Sequence, residues 1–230
     1  MDNSAYYLVI LKGSFMTMGV SLGALLVSIV LGLLGAAAKL SGRRVWVGMG
    51  TLYTTLIRGV PDLVLMLLVF YGGTIGINTA LEKLGSEATV DIDPFLAGVI
   101  TIGFIYGAYM AETFRGAILA IPKGQIEAAW AFGMSRRQTF VRITLPQMVR
   151  YALPGFTNNW LVLIKSTALV SLIGLQEMTY LAKQASAATR SPFAFFLFTG
   201  FLFLVYTTLS LMALKKINAR YSLGTRRGVL

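Results

Sequence analysis

Few groups in this 230-residue chain could do chemistry. Histidine and cysteine are absent, which removes thiolate nucleophiles, disulfides, the commonest general base and the usual nitrogen and sulfur metal ligands. What remains are charges and amides set within apolar sequence. They are Asp62 in the string Arg58-Gly-Val-Pro-Asp62, Glu112 with Arg115 three residues on, and Lys165 preceded by Asn158 and Asn159. Charge inside a bilayer is costly and points by default to function, here to contact with a charged solute along a pathway. Each group also has a plainer role open to it. Asp62 can cap the helix after Pro61 or pair with Arg58 one turn back, Glu112 and Arg115 can satisfy one another, and Lys165 can snorkel. Tyr106 and Tyr109 read as packing rather than as a cation–π site for solute. No Gly-x-x-x-x-Gly-Lys-Ser/Thr string occurs, so ATP hydrolysis is not expected of this chain.

The elements that carry these groups follow from apolar run lengths. The chain is 56% hydrophobic and 13% charged, with mean hydropathy +0.73, too apolar for an ordinary soluble domain. Phe15 to Ala38 holds no charge and is long enough at about 1.5 Å per residue to cross a core of about 30 Å. It predicts a first span rather than a signal peptide, being too long for the latter and followed by Lys39, Arg43 and Arg44. Val45 to Ile57 reads as an approach helix, broken at Arg58 to Asp62, with span two from Leu63 to Ile77. Span three runs from Phe95 past Ala111 through Glu112 and Arg115, span four from Tyr151 to Gln176, and span five from Phe193 to Leu214. The expectation is a single all-α membrane domain, residues 1–230, of about five transmembrane helices with short outer loops.

Loop charge orients the spans. The net charge is +11, but the basic residues flank apolar runs, so topology rather than nucleic acid accounts for them. Segments after spans one, three and five, with Arg58, hold 15 of the 20 Lys and Arg residues, including Arg115, Lys123, Arg136, Arg137, Arg142, Arg150, Lys215, Lys216, Arg220, Arg226 and Arg227. The alternate segments hold Lys12, Lys83, Lys183 and Arg190 beside Glu82, Glu87, Asp91, Asp93 and Glu177. The positive-inside rule then places the N-terminus outside and the C-terminus in the cytoplasm.

That orientation leaves residues 120–150 as the one cytoplasmic segment long enough for structure of its own. Pro122 suits a first helical turn, Glu127-Ala-Ala-Trp-Ala-Phe favours helix, and Gly133 suits the left-handed position after a helix end. Ser135-Arg-Arg-Gln138 reads as a capping box opening a second short helix that Pro146 ends. Two uses of this elbow are open. It can lie at the lipid surface with Trp130, Phe132 and Phe140 immersed, or it can dock on a partner, whose backbone Ala128 and Ala129 would let approach closely. The first would suit a small stand-alone channel or membrane scaffold.

The spacing Glu127-Ala128-Ala129, three residues, Gly133, nine residues, Ile143, one residue, Leu145-Pro146 resembles in full the EAA loop of permeases of binding-protein-dependent ABC importers. "TTLIRGVPDLVLMLLVFYG", "YGAYMAETFRGAILAIPKGQIEAA" and "NNWLVLIKSTALVSLIGLQE" resemble the polar amino acid subfamily. Asp62 and the "DIDPFLAGVITIGFIYGAY" string are most similar to the Q-type permease subunit of histidine and lysine/arginine/ornithine importers. The resemblance implies a multi-pass subunit of the bacterial inner membrane that is not itself an enzyme. The implied partners are two ATP-binding cassette subunits holding ATP and Mg, a second homologous permease subunit, a periplasmic amino-acid-binding protein and the surrounding lipid. It implies coupling to the ATPases through Glu127, Ala128, Ala129, Gly133, Ile143, Leu145 and Pro146. The solute pathway is then expected along Asp62, Glu112, Asn158, Asn159 and Lys165.

Overall fold

The computed structural model describes residues 4–85 and 88–221, and every regular element among them is a helix. Glu87, Arg226 and Arg227 of the loop-charge pattern lie outside these residues. Five helical segments among the described residues are long and apolar enough to cross a membrane: Ser4–Leu40, Asp62–Lys83, Pro94–Leu119, Arg136–Ile173 and Pro192–Ala219. The five predicted spans are all present, in most cases longer at the ends than the uncharged runs suggest.

Helix α1 (Ser4–Leu40) buries Gly13, Ser14, Thr17, Ser21, Ala24, Ser28, Gly32, Gly35 and Ala36. These small residues recur every three or four positions, the pattern that lets two membrane helices approach closely. The approach is against α5 (Pro94–Leu119), and it leaves no room for side chains at the contact: a Cβ on Gly32 would stand 2.5 Å from Met110 Cβ, and one on Gly103 would stand 2.5 Å from Val27 Cβ. Helix α5 starts firmly, with Pro94 in its first turn and Asp93 accepting a hydrogen bond from Leu96 N at 2.9 Å.

The predicted break in the second span is real. Helix α2 (Arg44–Gly59) ends where Val60 and Pro61 turn extended, with ψ of 138° and 135°, as expected for a residue before proline and for proline itself. The chain then continues as α3 (Asp62–Leu67), a π turn at Leu68–Gly72 and α4 (Gly73–Lys83). Almost none of this span is covered by the rest of the chain.

The fourth span corrects the prediction at both ends. Pro146 does not end a short helix. After α6 (Lys123–Ala131) and α7 (Arg136–Thr139), a π turn at Phe140–Thr144 runs straight into α8 (Leu145–Ser166), with Pro146 in its first turn. Pro146 offers no N–H to the preceding turn, and the wider turn before it accommodates that gap where a break was expected. At the other end a 3₁₀ segment, Thr167–Ile173, closes at Gly174 with φ +90°. The segment beyond is no bare loop but α9 (Met178–Thr189), followed by α10 (Pro192–Tyr221). Helix α9 packs Met178, Ala182 and Ala185 against Ile10 and Phe195. Its N-cap is Glu177, fully buried, which accepts from Tyr180 N at 2.8 Å and from Thr17 Oγ1 at 3.0 Å. The main core gathers around the middle of α5, where Ile102, Ile105, Tyr106 and Ala108 meet Leu163, Ile164 and Val170.

Candidate functional site

The elbow between α5 and α8 is built as its residue types require. Pro122 is the N-cap of α6, one position before the first turn. Gly133 has φ +77° and closes a Schellman motif: its N–H donates to Trp130 O at 2.9 Å, and Met134 N donates to Ala129 O at 3.0 Å. The predicted capping box is present, with Gln138 N donating to Ser135 Oγ (3.3 Å) and Ser135 N donating to Gln138 Oε1 (2.9 Å). Gln147 of α8 then clasps α6 by donating to Gln125 Oε1. The elbow is thus hydrogen-bonded at both corners, joined to α5 by a turn at residues 120–122 and continuous with α8.

Its surfaces differ from expectation at one residue. Ala128 is exposed beside Glu127, but Ala129 is 5% exposed and turned into the chain, so only Ala128 of the pair can admit a partner backbone. Trp130 and Phe132 are 54% and 89% exposed. Ile143 is half-buried, while Leu145 and Pro146 lie at the surface of the π-turn corner.

A second constellation lies at mid-length of α5. Tyr106 Oη donates to Asp62 Oδ2 at 3.2 Å and is 2.6 Å from Ser166 Oγ, which, since the phenol has one proton, serves as its donor. The tyrosine thereby joins the break before α3 to α5 and to the end of α8. Asp62 makes neither of the plainer contacts proposed for it: it is the first residue of α3, not its cap, and Arg58 is not within ion-pair distance of it. Arg58 instead lies over the Tyr109 ring, 5.3 Å from its centroid, and Tyr109 is stacked on Tyr106 with centroids 5.6 Å apart. Besides packing, the two tyrosines thus make polar contacts within the chain, through the Tyr106 hydroxyl and the Tyr109 ring.

Glu112 is fully engaged. Arg115 holds its Oε2 at 2.9 to 3.0 Å, and Lys39 of α1 holds Oε1 while donating also to Thr54 Oγ1 at 2.9 Å. The predicted Glu112–Arg115 pair exists, and Lys39 is its third member. Sequence reasoning assigned Lys39 only to a basic anchor, since nothing in the local string reveals a partner 73 residues away. Between Lys39, Thr55, Arg58, Tyr109 and Glu112 opens a polar pocket of about 480 Å³.

The α8 amides and Lys165 are not brought to Asp62. Asn159 donates to Thr113 Oγ1 at 3.0 Å and braces α8 on α5. Asn158 and Lys165 are exposed, and Lys165 lies in a cleft against Phe203 and Thr207 of α10. Ser166, not singled out in the sequence, is the α8 residue that reaches the constellation.

Comparison with known proteins gives the family and the fold. Permease protein HisQ of the histidine/lysine/arginine/ornithine transport system of Salmonella typhimurium is 52% identical over 222 residues, covering 96% of this chain and 97% of that protein. Permease protein OccQ of the octopine transport system of Rhizobium radiobacter is 40% identical, covering 95% and 92%. Among solved structures, a chain of an amino acid ABC transporter crystallised with histidines superposes with a TM-score of 0.80 at 28% identity, covering 96% of this chain and 99% of that one. The methionine transporter MetNI shares the fold, with a TM-score of 0.67 at 16% identity. Residues 12–222 match the family model for the inner membrane component of binding-protein-dependent transport systems, and with its elbow and its five apolar helices the chain belongs to that family.

Proposed function

We propose that this amino acid ABC importer permease subunit carries cationic amino acids of the histidine, arginine, lysine and ornithine class. The solute passes beside Asp62 and the stacked Tyr106–Tyr109 pair. The observation that carries this reading is the position of Asp62. Its carboxylate stands at a helix break, at the level of the middle of α5, where its one side-chain partner among the described residues is a neutral phenol. A carboxylate without a cation, beside the hydroxyl of Tyr106, offsets the dehydration of an ammonium or guanidinium group. Discontinuous helices near the midplane are where transporters place such sites. The chain sits in the bacterial inner membrane with its N-terminus outside, and pairs there with a second, homologous permease subunit. A periplasmic binding protein delivers solute, and two ABC subunits hold ATP and Mg. Those subunits grip the exposed face of α6, Glu127, Ala128, Trp130 and Phe132. Because α5 runs unbroken from Tyr106 to the elbow, closure of the ATPase pair moves the solute site as a rigid body.

The test is uptake by the reconstituted importer. Asp62→Asn should weaken arginine and lysine transport at least tenfold while a neutral amino acid, where the importer accepts one, loses little. Equal loss for all solutes would assign Asp62 to structure and cation preference to another subunit.

A further inference from the structure

We infer that Arg58, with Thr55 one turn before it on α2, forms a receptor for the α-carboxylate of the solute. This deepens the reading of a solute path beside Asp62 and Tyr109 and rests on that path. The inference starts from the charges around the 480 Å³ pocket. Lys39 is already bound to Glu112 and Thr54, and both oxygens of Glu112 are taken, one by Lys39 and one by Arg115. Arg58 is the cation left over. Among the described residues no carboxylate lies within ion-pair reach of it and no hydrogen bond takes up its N–H donors, while its Cζ stands over the Tyr109 ring, 5.3 Å from the centroid. A cation–π contact uses the charge of a guanidinium and leaves its N–H donors free for an acceptor. Thr55 lines the same pocket and makes no side-chain hydrogen bond, unlike Thr54 beside it.

A planar fork of unpaired donors held on an aromatic platform matches a carboxylate, which it can bind through two parallel bonds. The pocket adjoins the Asp62 constellation through Tyr109, which lines the one and stacks on the central tyrosine of the other. An amino acid with a cationic side chain carries charges of both signs, and here acceptor and donor stand four residues apart across the Pro61 break. The site therefore reads both ends of the solute. Two rival carboxylate partners, Asn159 and Lys165, are turned elsewhere by Thr113 and α10.

The experiment is calorimetric titration of the full importer complex in lipid nanodiscs, without binding protein, using L-arginine and L-argininamide, in which a neutral amide replaces the carboxylate. Wild type should bind L-arginine more tightly than the amide. Arg58→Gln should weaken L-arginine about ten- to a hundredfold, the range of a lost charge-assisted contact, and leave the amide where it was. The amide thus reports that the variant site is still folded. Equal weakening of both probes, or no change in either, overturns the inference. If wild type binds neither probe, the solute-site reading falls with it. If Asp62→Asn leaves L-arginine binding intact while Arg58→Gln weakens it, the cation reading alone falls and the carboxylate receptor stands.

Discussion

Replacing Gly133 by valine strains the elbow without crowding it. A Cβ at this position meets nothing within 4 Å, and the backbone stands at φ +77°, so the whole cost is conformational. A residue with a Cβ in the left-handed region costs about 1–2 kcal/mol, and strained backbone of this kind reaches about 3 kcal/mol. Opposing it are the two Schellman hydrogen bonds at 2.9 and 3.0 Å, worth together about 1–3 kcal/mol at the usual net value per bond. The terms are of one size, so the valine elbow divides between its capped form and a released form in which α6 points elsewhere. On the proposal that α6 docks on the ATPase, only the capped form would present it. Solute-stimulated ATP hydrolysis by the reconstituted complex should therefore fall several-fold to tenfold, while the amount of inserted, monodisperse protein is unchanged. Asparagine tolerates the left-handed region better, so Gly133→Asn should keep most of the coupling. Gly42 supplies the control, with φ +70° and open space around its Cβ, but in the turn between α1 and α2. Gly42→Val carries similar strain away from the elbow. Normal coupling in Gly133→Val, or an equal loss in Gly42→Val, would refute the reasoning.

Single cysteines at Thr89 and Ser135, both exposed in a chain with no native cysteine, should label from opposite faces of the membrane, Thr89 from the periplasm. Labelling of both from one face would overturn the five-span topology. Glu112→Gln should lower stability in detergent melting by about 1–3 kcal/mol, because it leaves the mostly buried Lys39 without its counter-charge. It should reduce transport of cationic and neutral solutes alike, and a selective loss would return Glu112 to the solute path. Glu177 titrates above the ordinary carboxylate range, because burial outweighs the hydrogen bonds from Tyr180 N and Thr17 Oγ1. Its folded form thus holds a proton that the unfolded chain gives up near pH 4.3. Stability from this group is fully present below that value and is lost as pH rises through the folded pKa. Melting temperature should fall over that window in wild type and stay flatter in Glu177→Gln; parallel curves would rule out the linkage.

The parts legible in the sequence are those set by local rules. Apolar run length gave the spans, Pro61 gave the break, and glycine and serine types gave both elbow corners, since a left-handed residue and a capping box are decided within four residues. The predicted stop at Pro146 failed because a proline in a first turn and a proline after a last turn leave the same local trace. Helix α9 was missed because its buried face is only Met178, Ala182, Ala185 and Ser186, too small and polar to show an apolar period. The partners of Asp62 and Glu112 were illegible for another reason: Tyr106 and Lys39 come from 44 and 73 residues away, and only the packing of α3 and α1 on α5 decides which side chains meet.

The π turn at Phe140–Thr144 also bears on how this chain can change length. Such a turn is an α-helix carrying one residue too many, and each residue of an α-helix advances its direction by about 100°. The wider turn absorbs its extra residue locally, so deleting one residue there would restore regular helix and leave the phase beyond it nearly unchanged. Ser166 would stay on Tyr106 and Asn159 on Thr113. The regular helix of α8 before Asn159 has no residue to spare, so a deletion there would turn both side chains through about 100° and would be far more damaging than one in the π turn.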